Sequence, residues 1–539
     1  MMQSMKEFNM IIKYVLGCTL FLCGLSFSSC TDEFEKWNVN PNEVSPEEMQ
    51  QDNLNTGAYF SQMERGVFIV GKDMGGEYQI TQALEGDLFA SYFAPITSWD
   101  YAPYNNDHYA LYWNWYNAPF NDAYKNIMQP WKSINDVTTS NSPARAMANV
   151  VKVLAMNRIT DMYGPIPYSK FGKAVQVEYD AQKDVYDQFF NELDSAITVL
   201  TDYVSTNKSG TYLADYDNVY NGNVTKWIRL ANTIRLRLAM RISNVDEAKA
   251  RQEAEAAISQ RIGLMKSADD DAILHQTTTL TFRHPLWEIG TSWDDEHMSA
   301  TMDCYLNGYN DPRLSVYFQP ADETGEFHGV RNGMSHINKA SYKGVTSRMN
   351  FSQGSDMQWV HAAEAYFLLA EAKLRFGLGD KTVQQYYEEG IRTSFASAGV
   401  AANVDGYINN KTNLPKSAFV DVSTGRSTDV SSMLSMLPVA WDDAASNDEK
   451  LERIMIQKWI ALYPDGQEAW SEMRRTGYPG WVKIQSYDYQ REVKQGEMIS
   501  RLKFPTTEYS NNSTNTQAAV KLLNGEDNAG TRLWWDVKR

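Results

Sequence analysis

A chain of 539 residues, 43 % apolar and 22 % charged, has a globular composition and the length for one large core or a few fused ones. Its 67 acidic against 50 basic residues leave a formal charge of −17, which disfavours a nucleic-acid surface, because such surfaces need clustered Lys and Arg. Fifteen Trp and 31 Tyr are more rings than a core readily hides, and rings near water often mark binding surfaces.

Residues 1–29 read as an export signal. Lys6 and Lys13 give a basic start, an apolar run spans about 14–27, and Ser28 and Ser29 precede Cys30. The run is short of the roughly 20 apolar residues that span a bilayer. Small residues ahead of a cysteine resemble the lipobox of bacterial lipoproteins, although Phe27 stands where that pattern prefers an aliphatic residue. Cleavage after Ser29 would leave Cys30 first in the mature chain, as the lipid acceptor. Stable anchoring takes more than one acyl chain, which lipoprotein modification supplies. Asp32, Glu33 and Glu35 resemble the acidic tag that sends some Gram-negative lipoproteins to the outer leaflet. Cys18 and Cys23 leave with the signal, so only Cys304 remains, and neither a disulfide nor a cysteine metal cluster is expected.

Residues 30–44 then form an extended tether, where the Asn and Pro of "NVNPN" oppose helix. Helix starts near Ser45, with Pro46 at the first helical position, and 45–539 reads as one domain. To about residue 136 the pattern is helical and rich in rings. A clear helix follows from Ser142 and Pro143, with Met147, Val150, Val151 and Leu154 on one face, until Gly164, Pro165 and Pro167 stop it. Two more run over about 181–204 and 223–243. Residues 265–355 read as loops with short strands. Helical period returns at Val360, Ala363, Phe367, Ala370 and Leu374. Gly377 ends that helix, and Asp380 is placed to cap the next, which carries Val383, Tyr387 and Ile391. Two such helices across a short turn resemble the tetratricopeptide unit of about 34 residues, with 142–204 and 223–258 as candidate weaker copies. Residues 401–440 are polar and irregular. A capping box at Ser446 and Glu449 then opens a helix that is apolar nearly all round, a Pro464-Asp465-Gly466 turn follows, and a further helix ends in Arg474 and Arg475.

Several stretches together resemble one family: "DMYGPIPYS" (161–169), "AEAYFLLAEA" (363–372), "IQKWIALYPDGQEAWSEMRRTGYP" (456–479), "RLKFPTTEYSNN" (501–512) and "RLWWD" (532–536). "NVNPN" (38–42) and "NDPRL" (310–314) fit as well. Standing in family order across nearly the whole mature chain, they resemble the SusD/RagB outer-membrane lipoproteins, in the branch whose mature start carries Asn-x-Asn-Pro-Asn. The resemblance implies a mostly α fold. Tetratricopeptide-like helical hairpins would form a scaffold, and a loop-rich, ligand-binding half with short strands would pack on it. It implies lipid anchoring at the cell surface of the outer membrane and service as a lid on a SusC-like TonB-dependent barrel. Nutrient, most often oligosaccharide, would be captured and delivered without covalent chemistry.

The family motifs themselves read as structural. Arg474 or Arg475 pairs with a buried carboxylate, and Trp459, Trp470, Trp534 and Trp535 belong to the core. Ligand contacts come instead from ring-rich loops on the scaffold, because aromatic faces meet sugar C–H groups while Asp, Asn and Arg read the hydroxyls. One such segment, 98–116, carries Trp99, Tyr101, Tyr104, Asn105, Asp107 and His108. Trp113 and Trp115, on its helical end, read as core. A second, 284–297, carries His284, Trp287, Trp293, Asp294 and Asp295; Trp99 and Trp293 lead the two sets. The acidic run 268–272 lacks the spacing and glycine of a calcium loop, so structural calcium is unsupported, and no metal or cofactor is expected. A glycoside hydrolase needs two carboxylates across the bond, and the adjacent Asp294 and Asp295 are poorly placed for that. A helical-repeat adaptor that binds peptide or protein would share the same scaffold.

Overall fold

The computed structural model describes residues 53–98, 105–335, 337–487 and 492–537. The export signal, Cys30, the tether and the helix start near Ser45 therefore lie outside the described residues. Thr56–Arg539 form one unit, to which nearly all of the description belongs.

The expected helices form, and they pair. After α1 (Leu54–Val67), α2 (Trp113–Ala123) and α3 (Gln129–Val137), the long α4 (Pro143–Tyr163) packs on α5 (Gln182–Thr206). Next come α6 (Val224–Arg241) with α7 (Glu247–Ser259), and then, after a looped stretch and α8 (Ala300–Tyr309), α9 (Ala363–Phe376) with α10 (Val383–Ser397). Helix α6 also touches α5 and α9, so three hairpins stand in a row, and α11 (Asn447–Leu462) with α12 (Gly466–Thr476) closes on α9. This is a tetratricopeptide-like scaffold.

Local chemistry explains the joints. Gly377 ends α9 at φ +73°, a left-handed conformation that favours glycine. Helix α10 is capped by Thr382 rather than Asp380, because Thr382 and Gln385 make a reciprocal box, whereas Asp380 accepts the Tyr386 hydroxyl at 2.7 Å. Gly390 brings the two helices close: a Cβ there would lie 2.7 Å from the Phe367 ring. The apolar period at Val360 belongs to a strand, Met357–Val360, and helix begins only at Ala363.

Helix α12 is buried along its whole length although it carries Glu468, Glu472, Arg474 and Arg475. Its charges are therefore paired. Arg475 makes a fork to Glu371 at 2.6 and 2.7 Å and reaches Glu472 at 2.7 Å. Lys458 holds Glu472 at 2.8 Å, Arg241 bonds Glu468, and Arg237 bonds Glu364 at 2.9 Å. Arg474 stacks on Trp470 and donates to the carbonyls of Asp161 and Ser500 at 2.8 and 2.7 Å. Trp459, Trp470 and Trp535 are buried as expected, and Trp534 is partly so.

The loop-rich half holds three two-stranded antiparallel sheets: β1 (Phe93–Pro95) with β3 (Glu296–Met298), β2 (Ala272–Leu274) with β4 (Met357–Val360), and the hairpin β5 (Ala418–Asp421) with β6 (Arg426–Asp429). The acidic run 268–272 serves as a brace. Asp270 holds Arg229 at 2.9 Å, and Asp271 accepts Ala362 N and the Ser397 hydroxyl, each at 2.7 Å. Cys304 is buried with a free thiol. No helix among the described residues is long and apolar enough to cross a membrane.

Candidate binding surface

The pairing of β1 with β3 joins the two ring-rich segments. Its register sets Pro95 opposite Glu296, so the chain leaving β1 toward 98–104 starts beside the chain entering β3 from Trp293. Ile96 N donates to Asp295 O at 2.8 Å, and the Thr97 hydroxyl to Asp295 Oδ1 at 2.7 Å. Trp99, Tyr101 and Tyr104 fall outside the described residues.

Beyond them, Asn105 caps a short 3-10 turn over Asn106–His108 by accepting Asp107 N. Asp107 is buried and clips distant chain: Gly333 N donates to it at 2.7 Å and Asn332 Nδ2 at 3.2 Å. Burial raises its carboxyl to about 6. His108 is half-buried, with Nδ1 2.9 Å from the Ser486 hydroxyl. Tyr109 sits edge-on to Tyr487 at 5.7 Å. Trp115 is 5 % exposed, as expected for core, but Trp113 is 45 % exposed. The reason is spacing: two residues along a helix turn the side chain through about 200°, so the pair cannot share a face. Trp113 is thus the outward indole on the rigid start of α2, and its only ring partner among the described residues is Tyr112, edge-on at 5.8 Å.

The second segment divides in the same way. Trp287 and Trp293 are half-buried. The Trp293 ring lies against Gly75, where a Cβ would stand 3.0 Å from Cη2, and its carbonyl takes a hydrogen bond from Lys339 Nζ at 2.6 Å. His284 is wholly buried and stacked on Phe351 at 4.2 Å and 8°, and burial lowers its pKa to about 3. Asp294 is buried at φ +59° with Oδ1 2.9 Å from His297 Nε2, and the other His297 nitrogen is 2.6 Å from the Thr346 hydroxyl. Burial works against the Asp294 anion, yet His297 and Lys343 hold its carboxyl below the usual range. Asp295 is held by Lys339 at 2.9 Å. Asp107, His284 and Asp294, expected to face ligand, are buried in this structure and bonded or stacked within the fold.

Beneath the surface runs a π-helical segment, Gln79–Asp87, packed on α2, α12 and the Asn106–His108 turn. Gly86 permits its contact with α12, since a Cβ there would lie 2.7 Å from the Gln467 Cα. Its Glu85 and, on β3, Glu296 are fully buried with no ion pair among the described residues, and burial pushes both carboxyls well above the ordinary range. Sequence reasoning did not find the β5–β6 hairpin or the arginines Arg331 and Arg426 beside this surface. Two short polar strands without an apolar alternation give little signal.

The family model described as "SusD-like: Susd and RagB outer membrane lipoprotein" matches residues 36–536. No curated protein matches the chain. Among solved structures, a chitin-binding SusD homologue from Flavobacterium johnsoniae superposes with a TM-score of 0.84 at 36 % identity, covering 90 % of this chain and 99 % of that one. SusD homologues from Bacteroides uniformis and Bacteroides vulgatus both give 0.83, at 34 % and 32 % identity, over 90 % of this chain and 100 % and 99 % of theirs.

Proposed function

The chain belongs to the SusD-like family of outer-membrane lipoproteins, and from that premise we propose that it captures oligosaccharide at the cell surface and delivers it, as a lid, to a SusC-like TonB-dependent barrel. The lipid on Cys30 holds it there. The observation that carries the reading is the outward Trp113 on the rigid start of α2, beside the ring-rich segment. Aromatic faces match the axial C–H groups of a sugar ring, and a plate fixed to a helix loses little entropy on binding. The chitin-binding relative supports a glycan as ligand. Trp113, Trp287, Trp293 and His108, with Trp99, Tyr101 and Tyr104, are the side chains assigned to ligand. The protein acts by binding and not by catalysis: Asp294 and Asp295 are bonded to His297 and Lys339 instead of facing each other across a cleft.

Affinity electrophoresis of the purified lipoprotein in gels containing soluble glycans tests this. Retardation by at least one glycan is expected, with no release of reducing ends. Reducing ends that accumulate in proportion to added protein, or no retention by any glycan, would overturn it. In cells, Cys30→Ala moves the protein out of the membrane fraction.

A further inference from the structure

Two arginines at the edge of this surface share one cavity and form no ion pair among the described residues. Arg331 and Arg426, with Phe419, Asp421, Thr428 and Gln485, line a cavity of about 140 Å³. Arg331 donates Nε–H to the Lys483 carbonyl at 3.0 Å and so keeps its fork free. Burial and the facing charge of Arg426 both pull Arg331 below its ordinary pKa, so an added anion would relieve the site. Asp421, the one acid in the lining, accepts the Tyr342 hydroxyl on Oδ2 at 3.0 Å and Ser423 N on Oδ1 at 3.0 Å. The lining thus keeps two positive charges against one committed negative. The Thr428 hydroxyl and Gln485 amide add neutral donors.

The cavity is tied to the 105–109 turn through its two backbone segments. Asn332 and Gly333, next to Arg331, hold Asp107, and Ser486, next to Gln485, meets His108. Gln485 N donates to Asn332 O at 2.9 Å, which ties the two segments together.

We propose that this cavity is an anion subsite that reads a carboxylate or sulfate group on the captured sugar. This assignment rests on the glycan-capture reading and narrows it to acidic glycans. A volume of about 140 Å³ is several times what a single water needs, which leaves room for such a group and the edge of the ring bearing it. A guanidinium fork matches the oxygens of either group bidentately, which an ammonium does not. With a net charge of −17 the protein repels anions at long range, so retention of an acidic sugar depends on local cations such as these.

Calorimetric titration of the detergent-purified lipoprotein with neutral, uronic-acid and sulfated oligosaccharides of matched length decides the matter. At least one acidic series is expected to bind ten times or more tightly than the neutral one, and the better series tells carboxylate from sulfate. R331Q/R426Q abolishes that preference and leaves neutral binding unchanged; if the pair does not fold, R426Q alone, at an exposed position, shows the same direction. Equal binding of acidic and neutral sugars, or a preference that survives the substitutions, overturns the inference and leaves glycan capture standing. Absence of binding to every sugar by a protein with a native melting curve overturns the capture reading and the subsite with it.

Discussion

The helical scaffold and the looped half bury charge in opposite ways. In the scaffold, Arg237, Arg241, Lys458 and Arg475 are matched to Glu364, Glu371, Glu468 and Glu472 across four helices. In the looped half and the π-helical segment, Glu85, Glu296 and His284 are as deeply buried with no ion pair among the described residues, and burial drives each toward its neutral form. A buried ion pair adds little net stability over an apolar pair, but it penalises every misalignment of its helices. Neutral acids and a neutral imidazole impose no such register. The difference teaches that the hairpins are fixed to one another by charge, whereas the loop half is held by single-carboxylate clips such as Asp107 and Asp294.

The sharpest way to break this comparison is Arg475→Ala. It removes the fork on Glu371 and leaves Glu472 to Lys458 alone of its close partners, and a loss of about 3 kcal/mol is expected by denaturant unfolding; a loss under about 1 kcal/mol would make the pairing ornamental. Acidity sharpens it further. Burial opposes the Glu371 anion, yet Arg475 and Arg375 bring it down to about 2, and Glu472 likewise lies well below its ordinary value. Their folded values lie below the unfolded one, so this stability is complete above about pH 4.5 and is lost as pH falls toward 2. Glu85 and Glu296 shift upward, so their contribution is complete below about pH 4.5 and is lost as pH rises. Hydrogen exchange should therefore show protection in α9 weaker at pH 3 than at pH 8, relative to residues 79–87 and 296–298. The smallest stability effect belongs to Trp113→Ala: within about 0.5 kcal/mol, as for an open surface site, while glycan retention falls several-fold. Trp293→Ala costs more stability, because that ring packs on Gly75.

The scaffold was legible because its signals are local. Apolar side chains recur every three or four residues, and Gly377 and Thr382 mark a turn within six. The binding surface was half legible. Its segments stood out by their rings, but the role of each polar residue depends on distant chain. Asp107 looks free until Gly333, 226 positions on, reaches it, and Asp294 depends on a histidine whose own partner is Thr346. The helical pair Trp113 and Trp115 shows the opposite lapse: their two-residue spacing already separated outside from inside.

Of the eight strand residues in the β5–β6 hairpin, only Phe419 is buried. An element that buries a single ring, with one further tie from Tyr342 to Asp421, can be exchanged or lengthened at little expense to the core, and it brings Asp421, Arg426 and Thr428 with it. At the subsite proposed above, exchange of one small cassette would change which groups are read, while the helical scaffold stays untouched.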